Sequence, residues 1–204
     1  IIKINENLAA FFVKLHHLIS DAWTLVSVGN EFMENYIRIT TGQELEAERP
    51  SYLEYLENEK KYFTSTRYQR DENYWLTKFN EIPEMTTLKD RKLASTSLKS
   101  SRMTFKLPEK LCNQIQQHCS EQKTSIFSLY MGAMAVYFNR TKGLDKVVFG
   151  TPVLNRSDYR EKQSMGMYIS TVPIYVNIDD NKNYAEFTKD INHEWMTVLR
   201  HQKY

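Results

Sequence analysis

The stretch KLHHLISDAW, at residues 14–23, decides which fold and function this sequence predicts. It places two adjacent histidines, His16 and His17, before a helix-like run, and Asp21 follows His17 by four positions. The preceding run AAFFVKL (9–15) is typical of a buried strand, and Asp is a favoured residue at a helix N-cap. The histidines are therefore predicted to lie in a strand-to-helix loop, where proteins commonly carry catalytic groups. The predicted helix repeats apolar side chains on one face, at Leu25, Val28, Phe32 and Tyr36.

The chemistry that this loop offers is proton transfer. A neutral imidazole, with a pKa near ~6.5, can accept a proton from an amine, hydroxyl or thiol at neutral pH. Free backbone N–H groups at the start of the following helix favour developing negative charge. Asp21 either orients His17, as in a nucleophilic triad, or pairs with a cation and holds the loop in shape. In a purely structural interpretation, both histidines only satisfy backbone carbonyls near a turn.

Covalent and metal-dependent alternatives have less support in the sequence. No GxSxG signature marks a serine nucleophile. Adjacent histidines point in different directions, no HExxH pattern occurs, and the remaining histidines fall on predicted helices without ligand spacing. The sequence therefore predicts no metal site. It places His118, His193 and His201 on the surfaces of helices.

The remainder of the chain alternates helical and strand patterns without a regular βαβ repeat. Ser51 and Glu54 form a capping-box pattern that opens a helix through about Tyr62. We expect further helices over 67–79, from Pro108, over 126–139 and over 184–202, and strands over 102–107, 146–153 and 167–178, with Pro173 at an edge or a bulge. The predicted class is α/β or α+β with a mixed sheet.

Composition excludes several classes of partner. The chain has 204 residues with 27 basic and 25 acidic side chains, and this balance gives no reason to expect nucleic acid or a membrane surface. The longest apolar stretch, 126–138, is shorter than the ~20 residues that span a bilayer. No basic and apolar leader opens the sequence IIKINE, which has no initial Met, so we expect a piece of a longer protein without a secretory signal.

The two cysteines predict a reducing compartment. Cys112 and Cys119 lie seven residues apart on one predicted helix. Two turns of helix separate their Cα atoms by roughly 10 Å, which exceeds the ~7 Å limit for a disulfide. We expect two reduced, partly buried thiols, and the cytoplasm is the natural location.

Four stretches together resemble a known family. HHLISDA (16–22) resembles the HHxxxDG motif of condensation domains in nonribosomal peptide synthetases, and HLISD fits the HxxxD motif of the wider superfamily that includes chloramphenicol acetyltransferase. PSYLEYLENEKKY (50–62) is similar to the aromatic motif of the family, FGTPVLNRSD (149–158) to its G-x-P-x-x-x-R loop, and MGMYISTVPIYV (165–176) to its GMFVNTxPLRI strand. The resemblance covers essentially the whole chain.

The resemblance implies roles for individual residues. His17 matches the catalytic histidine, which positions or deprotonates the attacking amine or stabilises the tetrahedral intermediate, while His16 matches a structural one. Asp21 matches the motif aspartate that pairs with an arginine, for which Arg156 is the candidate. This favours the interpretation in which Asp21 holds the loop in shape over the one in which it orients His17 in a triad. Ala22 replaces the motif glycine, which we expect a helix start to tolerate, and Thr24, Tyr168 and Ser170 replace the usual Ser, Phe and Asn.

The resemblance also implies an architecture. The family has two lobes, each like chloramphenicol acetyltransferase, and a complete domain is about twice as long as this chain. Residues 1–62 would be the end of the N-terminal lobe, with the histidine motif, and 63–204 the first part of the C-terminal lobe. Composition alone would instead place the break in the polar segment 80–100. The isolated piece is expected to be inactive, because half of the substrate tunnel is missing.

The implied reaction is amide formation between a carrier-bound aminoacyl or peptidyl thioester and an aminoacyl acceptor. No cofactor would bind directly, since the substrates are carried on phosphopantetheine. Carrier domains upstream and downstream and an adenylation domain would be the partners. Other acyl transfer in the superfamily, to a hydroxyl or from a coenzyme A thioester, is the alternative enzyme activity. A docking module without catalysis is the alternative outside enzymes, and epimerising relatives share the histidine motif.

Overall fold

The computed structural model describes residues 1–45, 49–81, 86–88 and 99–204. Most of the polar segment 80–100 lies outside the described residues. In chain order the elements are β1 (Ile2–Asn5), β2 (Leu8–Ala10), α1 (Ala22–Thr40), α2 (Tyr52–Phe63), α3 (Thr66–Lys78), α4 (Glu109–Gln122), α5 (Ile126–Lys142), β3 (Lys146–Val153), α6 (Tyr159–Gln163), β4 (Ser170–Asn177) and α7 (Tyr184–Arg200). Helices and strands in one chain confirm the α/β class, and the strands in the described part of the chain form two separate two-stranded sheets, β1–β2 and β3–β4.

The chain divides into two compact units. The first, unit 1, comprises Ile1–Glu72 and Pro152–Ser170, and the second, unit 2, comprises Asn73–Thr151 and Thr171–Tyr204. The lobe boundary at residue 62 stays a prediction, because it refers to the architecture of a complete two-lobed domain. No helix among the described residues is long and apolar enough to cross a bilayer.

Several helices begin where short polar side chains satisfy free backbone amides, as the sequence predicts for α1, α2 and α5. The Asp21 carboxylate accepts a hydrogen bond from the amide of Thr24, and Ser51 accepts one from Leu53. The capping box predicted at Ser51 is not formed, because Ser51 accepts from the amide of Leu53 rather than from that of Glu54, and the Glu54 carboxylate binds the guanidinium of Arg160 at 2.8 Å. Further caps are Ser125 for α5 and Asn183, in a capping box with Glu186, for α7.

Unit 2 has an apolar core. Helices α5 and α7 pack together, and β4 adds Ile174 and Val176, two positions apart on one face of the strand, to the same cluster. Gly132 permits close contact between the two helices, because a methyl group there would lie 3.3 Å from Cδ1 of Ile191. The buried members of the cluster are Met131, Ala135, Ile174, Val176, Phe187 and Ile191. Cys119 is buried and Cys112 is partly buried, and both are free thiols, as predicted.

Three predicted elements differ from the structure. The strand predicted over 9–15 is wrong: β2 covers only Leu8–Ala10 and is exposed along its length. The strand predicted over 102–107 is absent, and those residues are exposed coil, whereas the strand predicted over 167–178 begins only at Ser170. A strand-like pattern becomes a strand only where a partner completes the ladder, and among the described residues β2 pairs with β1 alone.

The apolar face predicted for α1 is also not buried. Leu25 and Tyr36 are exposed, Val28 and Phe32 are partly buried, and Thr24 is the buried residue of this helix. The assignment of His201 to a helix surface needs correction as well. This residue follows α7 as its C-cap, and its ring stacks on that of Tyr74 at 4.1 Å.

The α7 contribution to unit 2 is testable at Ile191, which is 2% exposed. We expect Ile191→Ala to lower the free energy of unfolding by about 2–5 kcal/mol, because the truncated side chain leaves a cavity in a packed cluster. Met196→Ala, at an exposed position of the same helix, is the matched control and should change it by less than about 0.5 kcal/mol. Urea denaturation followed by circular dichroism measures both, and equal effects would contradict the assigned core.

Candidate active site

A buried ion pair joins the start of α1 to the loop after β3. The Nη2 atom of Arg156 lies 3.2 Å from both carboxylate oxygens of Asp21, and neither side chain is exposed to solvent. The structure thus pairs the motif aspartate with the arginine that the resemblance singled out. The two residues are 135 positions apart in sequence, so this contact fixes a long-range connection within unit 1.

Arg156 is held by more than its carboxylate partner. Its Nη1 atom donates to the carbonyl oxygens of Glu161 at 2.5 Å and Ser164 at 2.7 Å, and Nη2 also donates to the carbonyl of Gly166 at 3.2 Å. The guanidinium lies 3.8 Å from the ring centroid of Tyr168, a cation–π contact. The planar fork of an arginine suits this arrangement of several fixed acceptors.

The backbone before Arg156 adopts an uncommon conformation. Asn155 has a φ of +52°, in the left-handed region that Asn tolerates better than most residues. This residue lies two positions after the end of β3 and directly before the buried Arg156. The sequence LNRSD therefore supplies, in Asn155, a residue that tolerates this backbone conformation.

Both oxygens of Asp21 are fully engaged. Oδ1 accepts from the amide of Thr24 at 2.8 Å, and Oδ2 accepts from the amide of Tyr168 at 3.1 Å, besides the two contacts with Arg156. These partners account for the carboxylate without either histidine. The triad interpretation of Asp21 is therefore wrong, and its geometry is that of a residue that holds the loop in shape.

The electrostatics of Asp21 follow from the same contacts. Burial alone would raise the pKa of the carboxyl, but the backbone hydrogen bonds from Thr24 and Tyr168 and the charge of Arg156 together lower it below its ordinary value of 3.8. Asp21 is consequently ionised at neutral pH. A buried carboxylate of this kind is tolerated because an opposite charge and hydrogen bonds compensate for its lost hydration.

Thr24 links α1 to Gly166 by reciprocal hydrogen bonds. Its Oγ1 donates to the carbonyl oxygen of Gly166 at 2.8 Å and accepts from the amide of Gly166 at 3.0 Å. The usual Ser of the motif and the Thr found here carry the same hydroxyl group, so this contact explains why the substitution is tolerated.

Tyr52, the first residue of α2, contacts the segment that follows Gly166. Its hydroxyl donates to the carbonyl oxygen of Met167 at 2.7 Å, and its ring lies 5.2 Å from that of Tyr168. The ring occupies the space beside Gly166, where a methyl group would lie 2.1 Å from Cδ2 of Tyr52. Gly166 does not have a positive φ, so this position needs glycine for the contact rather than for its backbone conformation.

The histidines lie in a turn just before Asp21. The carbonyl oxygen of His16 accepts from the amide of Ile19 at 3.1 Å and from Oγ of Ser20 at 2.9 Å, and its Nδ1 accepts from the amide of Leu18 at 3.1 Å. His16 thus holds the turn together. His17 is exposed, and among the described residues its imidazole has no hydrogen-bond partner, which leaves both ring nitrogens available.

Ala22 is the first residue of α1 and is exposed. Its φ is not positive, since the described non-glycine residues with a positive φ are Lys123 and Asn155. The replacement of the motif glycine therefore introduces no backbone strain, as expected. The described residues contain no group of three or more His, Cys, Asp or Glu that could hold a metal ion.

The sequence predicts the pairing of Asp21 with Arg156, but it does not predict the contact between Tyr52 and Gly166. Both lie in stretches that resemble family motifs, but the motifs do not indicate that the two residues meet. A glycine followed by a long β pattern is a weak signal, because many glycines serve turns. The assignment of His17, His16 and Asp21 to the catalytic motif, and of Arg156 and Ala22 to its support, stays a prediction.

Comparison with known families agrees with the motifs. The model of the Condensation domain family matches residues 1–204. The chain is 37% identical over 202 residues to surfactin synthase subunit 1 of Bacillus subtilis strain 168, an alignment that covers 98% of this chain and 6% of that protein. It is 31% identical over 206 residues to a plipastatin synthase of the same organism, with 100% of this chain and 8% of the relative covered. The chain thus spans a small part of these relatives.

Solved structures share the fold at low identity. The first condensation domain of the calcium-dependent antibiotic synthetase, in complex with a substrate analogue, superposes with a TM-score of 0.82 at 20% identity. A mutant starter condensation domain of rhizomide synthetase, in complex with C8-CoA, gives a TM-score of 0.78 at 24% identity. Each match covers 93% of this chain. It covers 42% of the solved antibiotic-synthetase chain and 43% of the solved rhizomide-synthetase chain.

The lowered pKa of Asp21 predicts loss of stability in acid. The ionised carboxylate stabilises the fold above the unfolded pKa of ~3.9, and this contribution disappears as pH falls through the lower folded value. Asp21→Asn should cost about 3–5 kcal/mol at pH 7, because Arg156 stays buried without its counter-charge. It should also flatten the decline in unfolding free energy between about pH 5 and pH 2, measured by urea titrations at constant ionic strength.

Asp180→Asn, at an exposed position, is the control for this substitution and should change the unfolding free energy by less than about 0.5 kcal/mol. If Asp21→Asn lost stability between the two pH values as steeply as the unmodified chain does, the assigned stabilisation by the Asp21 carboxylate would be refuted.

The contact between Tyr52 and Gly166 predicts a suppressor. Gly166→Ala should destabilise the chain by at least about 1–3 kcal/mol, because the new methyl group collides with the tyrosine ring. In a Tyr52→Ala background the same change should cost about 1 kcal/mol or less, because the ring is gone. Urea denaturation of the four chains measures the coupling, and strictly additive effects would show that the two residues do not meet.

A glycine elsewhere in unit 1 serves as the control. Gly29 lies inside α1, and a methyl group there would meet no other atom within 4 Å. Gly29→Ala should therefore stabilise the chain by roughly 0.5–1 kcal/mol, in either background, because alanine loses less backbone entropy in a helix.

Proposed function

This chain belongs to the condensation domain family, and we propose that it forms part of a site that joins two carrier-bound substrates through an amide bond. The donor would be an aminoacyl or peptidyl thioester, and the acceptor would be the α-amine of a second aminoacyl group. The complete synthetase, rather than the 204 residues alone, would carry the activity, since the chain spans only 42% of a solved condensation domain.

The observation that carries the proposal is the placement of His17. Its imidazole is exposed in a turn that Ser20 and Ile19 close onto the carbonyl of His16. The residue that follows this turn, Asp21, is anchored by the buried pair with Arg156. An accessible imidazole beside a rigid anchor is what positioned proton transfer requires.

The proposed step balances as a simple acyl transfer. The acceptor amine attacks the thioester carbonyl, a C–N bond forms, the C–S bond breaks, and the carrier thiol leaves. His17 would accept the proton that the amine loses and return it to the departing thiolate. Amides at the N-terminus of α1 would favour the negative charge that develops on the carbonyl oxygen. Asp21 and Arg156 would act as positioning residues without touching substrate.

The partners follow from the same proposal. Peptidyl carrier domains upstream and downstream would present the thioesters on phosphopantetheine, and an adenylation domain of the same synthetase would load them. The curated relatives include surfactin and plipastatin synthases, which supports a place in such an assembly. Free Cys112 and Cys119 suit the reducing cytoplasm in which we expect the synthetase to work.

One finding favours a second candidate. A solved starter condensation domain with this fold is in complex with C8-CoA. A coenzyme A thioester could therefore be the donor here, with the same histidine and the same acyl transfer. The two candidates differ in the donor, and a reaction with purified substrates separates them.

The first experiment uses the complete synthetase that contains this chain, with verified loading of both carriers. We expect amide product by mass spectrometry from the unmodified enzyme and at least a ~100-fold lower rate from His17→Ala, since a positioned general base contributes about 10²–10⁴-fold. The free energy of unfolding should change by less than about 0.5 kcal/mol, because His17 is exposed.

Matched controls identify the reason for any loss. His193→Ala changes an exposed histidine on α7 and should retain the full rate. Product formed from C8-CoA but not from a loaded donor carrier would favour the starter-type candidate. Unchanged turnover in His17→Ala would refute the catalytic assignment, and a loaded, folded enzyme that forms no product would refute the proposed function.

A further inference from the structure

Tyr52 contacts the loop that anchors the histidine turn, at two points. Its hydroxyl donates to the carbonyl oxygen of Met167 at 2.7 Å, and its ring lies against Gly166. Tyr52 is half-buried on α2, far from His17 in sequence, and its ring lies 5.2 Å from the ring of Tyr168. These contacts suggest a part in the reaction that does not require Tyr52 to touch a substrate.

The first route from Tyr52 to the site runs through a single peptide group. The carbonyl of Met167 and the amide of Tyr168 belong to the same peptide unit, which is planar and rigid. The oxygen of that unit accepts from Tyr52, and its N–H donates to Oδ2 of Asp21 at 3.1 Å. Any displacement of Tyr52 therefore moves or weakens a hydrogen bond to the residue that caps α1, and hydrogen bonds in series polarise one another.

The second route runs through Gly166. The ring of Tyr52 leaves no room for even a methyl group there, so it fixes the position of the Gly166 backbone. That backbone exchanges two hydrogen bonds with Oγ1 of Thr24, at 2.8 and 3.0 Å. Thr24 in turn donates its amide to Asp21 at 2.8 Å. Both routes converge on Asp21, which directly follows the turn that carries His17.

We propose that Tyr52 is a positioning residue for His17, acting through the Met167–Tyr168 peptide and Gly166 on Asp21 and the start of α1. This inference rests on the proposed function for its kinetic consequence. Its structural consequence, the orientation of the His17 turn, is independent of which acyl transfer the enzyme performs.

The kinetic test uses Tyr52→Leu and Tyr52→Phe in the complete synthetase. Tyr52→Leu should lower kcat for amide formation about tenfold to a hundredfold, because small displacements of a catalytic group have effects of that size. The KM for the loaded acceptor carrier should stay unchanged, since Tyr52 binds no substrate. Tyr52→Phe keeps the ring and should restore kcat to within about threefold to tenfold of the unmodified enzyme, because it lacks one hydrogen bond.

Tyr62→Leu is the matched control. Tyr62 lies on the same helix and is also partly buried, but its hydroxyl donates to Asp71 at 3.0 Å rather than to the loop. Loss of this tyrosine should destabilise α2 and leave kcat unchanged. Equal losses of kcat in Tyr52→Leu and Tyr62→Leu would overturn the proposal, because general destabilisation would then explain both.

A second readout does not depend on turnover. The chain has five histidines, so a ¹H–¹³C spectrum with labelled imidazoles contains five sets of signals. The set that disappears in His17→Gln is assigned to His17. Tyr52→Leu should shift or broaden the His17 signal, and Tyr62→Leu should not. An unchanged His17 signal in Tyr52→Leu would overturn the proposal. If Tyr52→Leu shifts the His17 signal but the unmodified synthetase forms no amide, the positioning role of Tyr52 is supported and the proposed reaction is refuted.

Discussion

The buried pair of Asp21 and Arg156 is the interaction on which unit 1 depends. Unit 2 is organised around an apolar cluster between α5, α7 and β4. In unit 1, by contrast, the described buried residues are mainly polar, and the apolar side chains of α1 are largely exposed. Removing the charge from one partner would leave the other buried without compensation, which is far more costly than the loss of an exposed ion pair.

A polar interior of this kind specifies orientation more strictly than an apolar one. Dispersion contacts tolerate small rotations, whereas a guanidinium with several fixed acceptors permits few. The Arg156 side chain binds Asp21 and also the carbonyls of Glu161, Ser164 and Gly166. The loop after β3 is therefore tied to the first turn of α1 in one arrangement. That arrangement determines where the preceding histidine turn points.

The sequence predicts most of the elements for identifiable reasons. Strand β3 has its predicted bounds, because a short apolar run between turn residues has few alternatives. The caps at Asp21, Ser51 and Ser125 are predictable because capping is local chemistry. The family match over residues 1–204 confirms the resemblance drawn from four separated motifs.

The errors have a common physical cause. The patterns at 9–15 and 102–107 have strand-like composition, but a strand forms only with a hydrogen-bonded neighbour, which composition does not reveal. The pairing of Asp21 with Arg156 could be expected from the resemblance, whereas the meeting of Tyr52 with Gly166 could not. Contacts between residues more than a hundred positions apart depend on the whole fold, and no local pattern encodes them.

Ala22 shows what the first turn of α1 requires of its residues. At this position the chain has an ordinary helical backbone and an exposed side chain, so the backbone here does not require glycine. A search that demands glycine after the aspartate would therefore miss this member of the family. A pattern that requires the aspartate, and an arginine in the distant loop, follows the physical constraint more closely and would separate true members from chance occurrences of HxxxD.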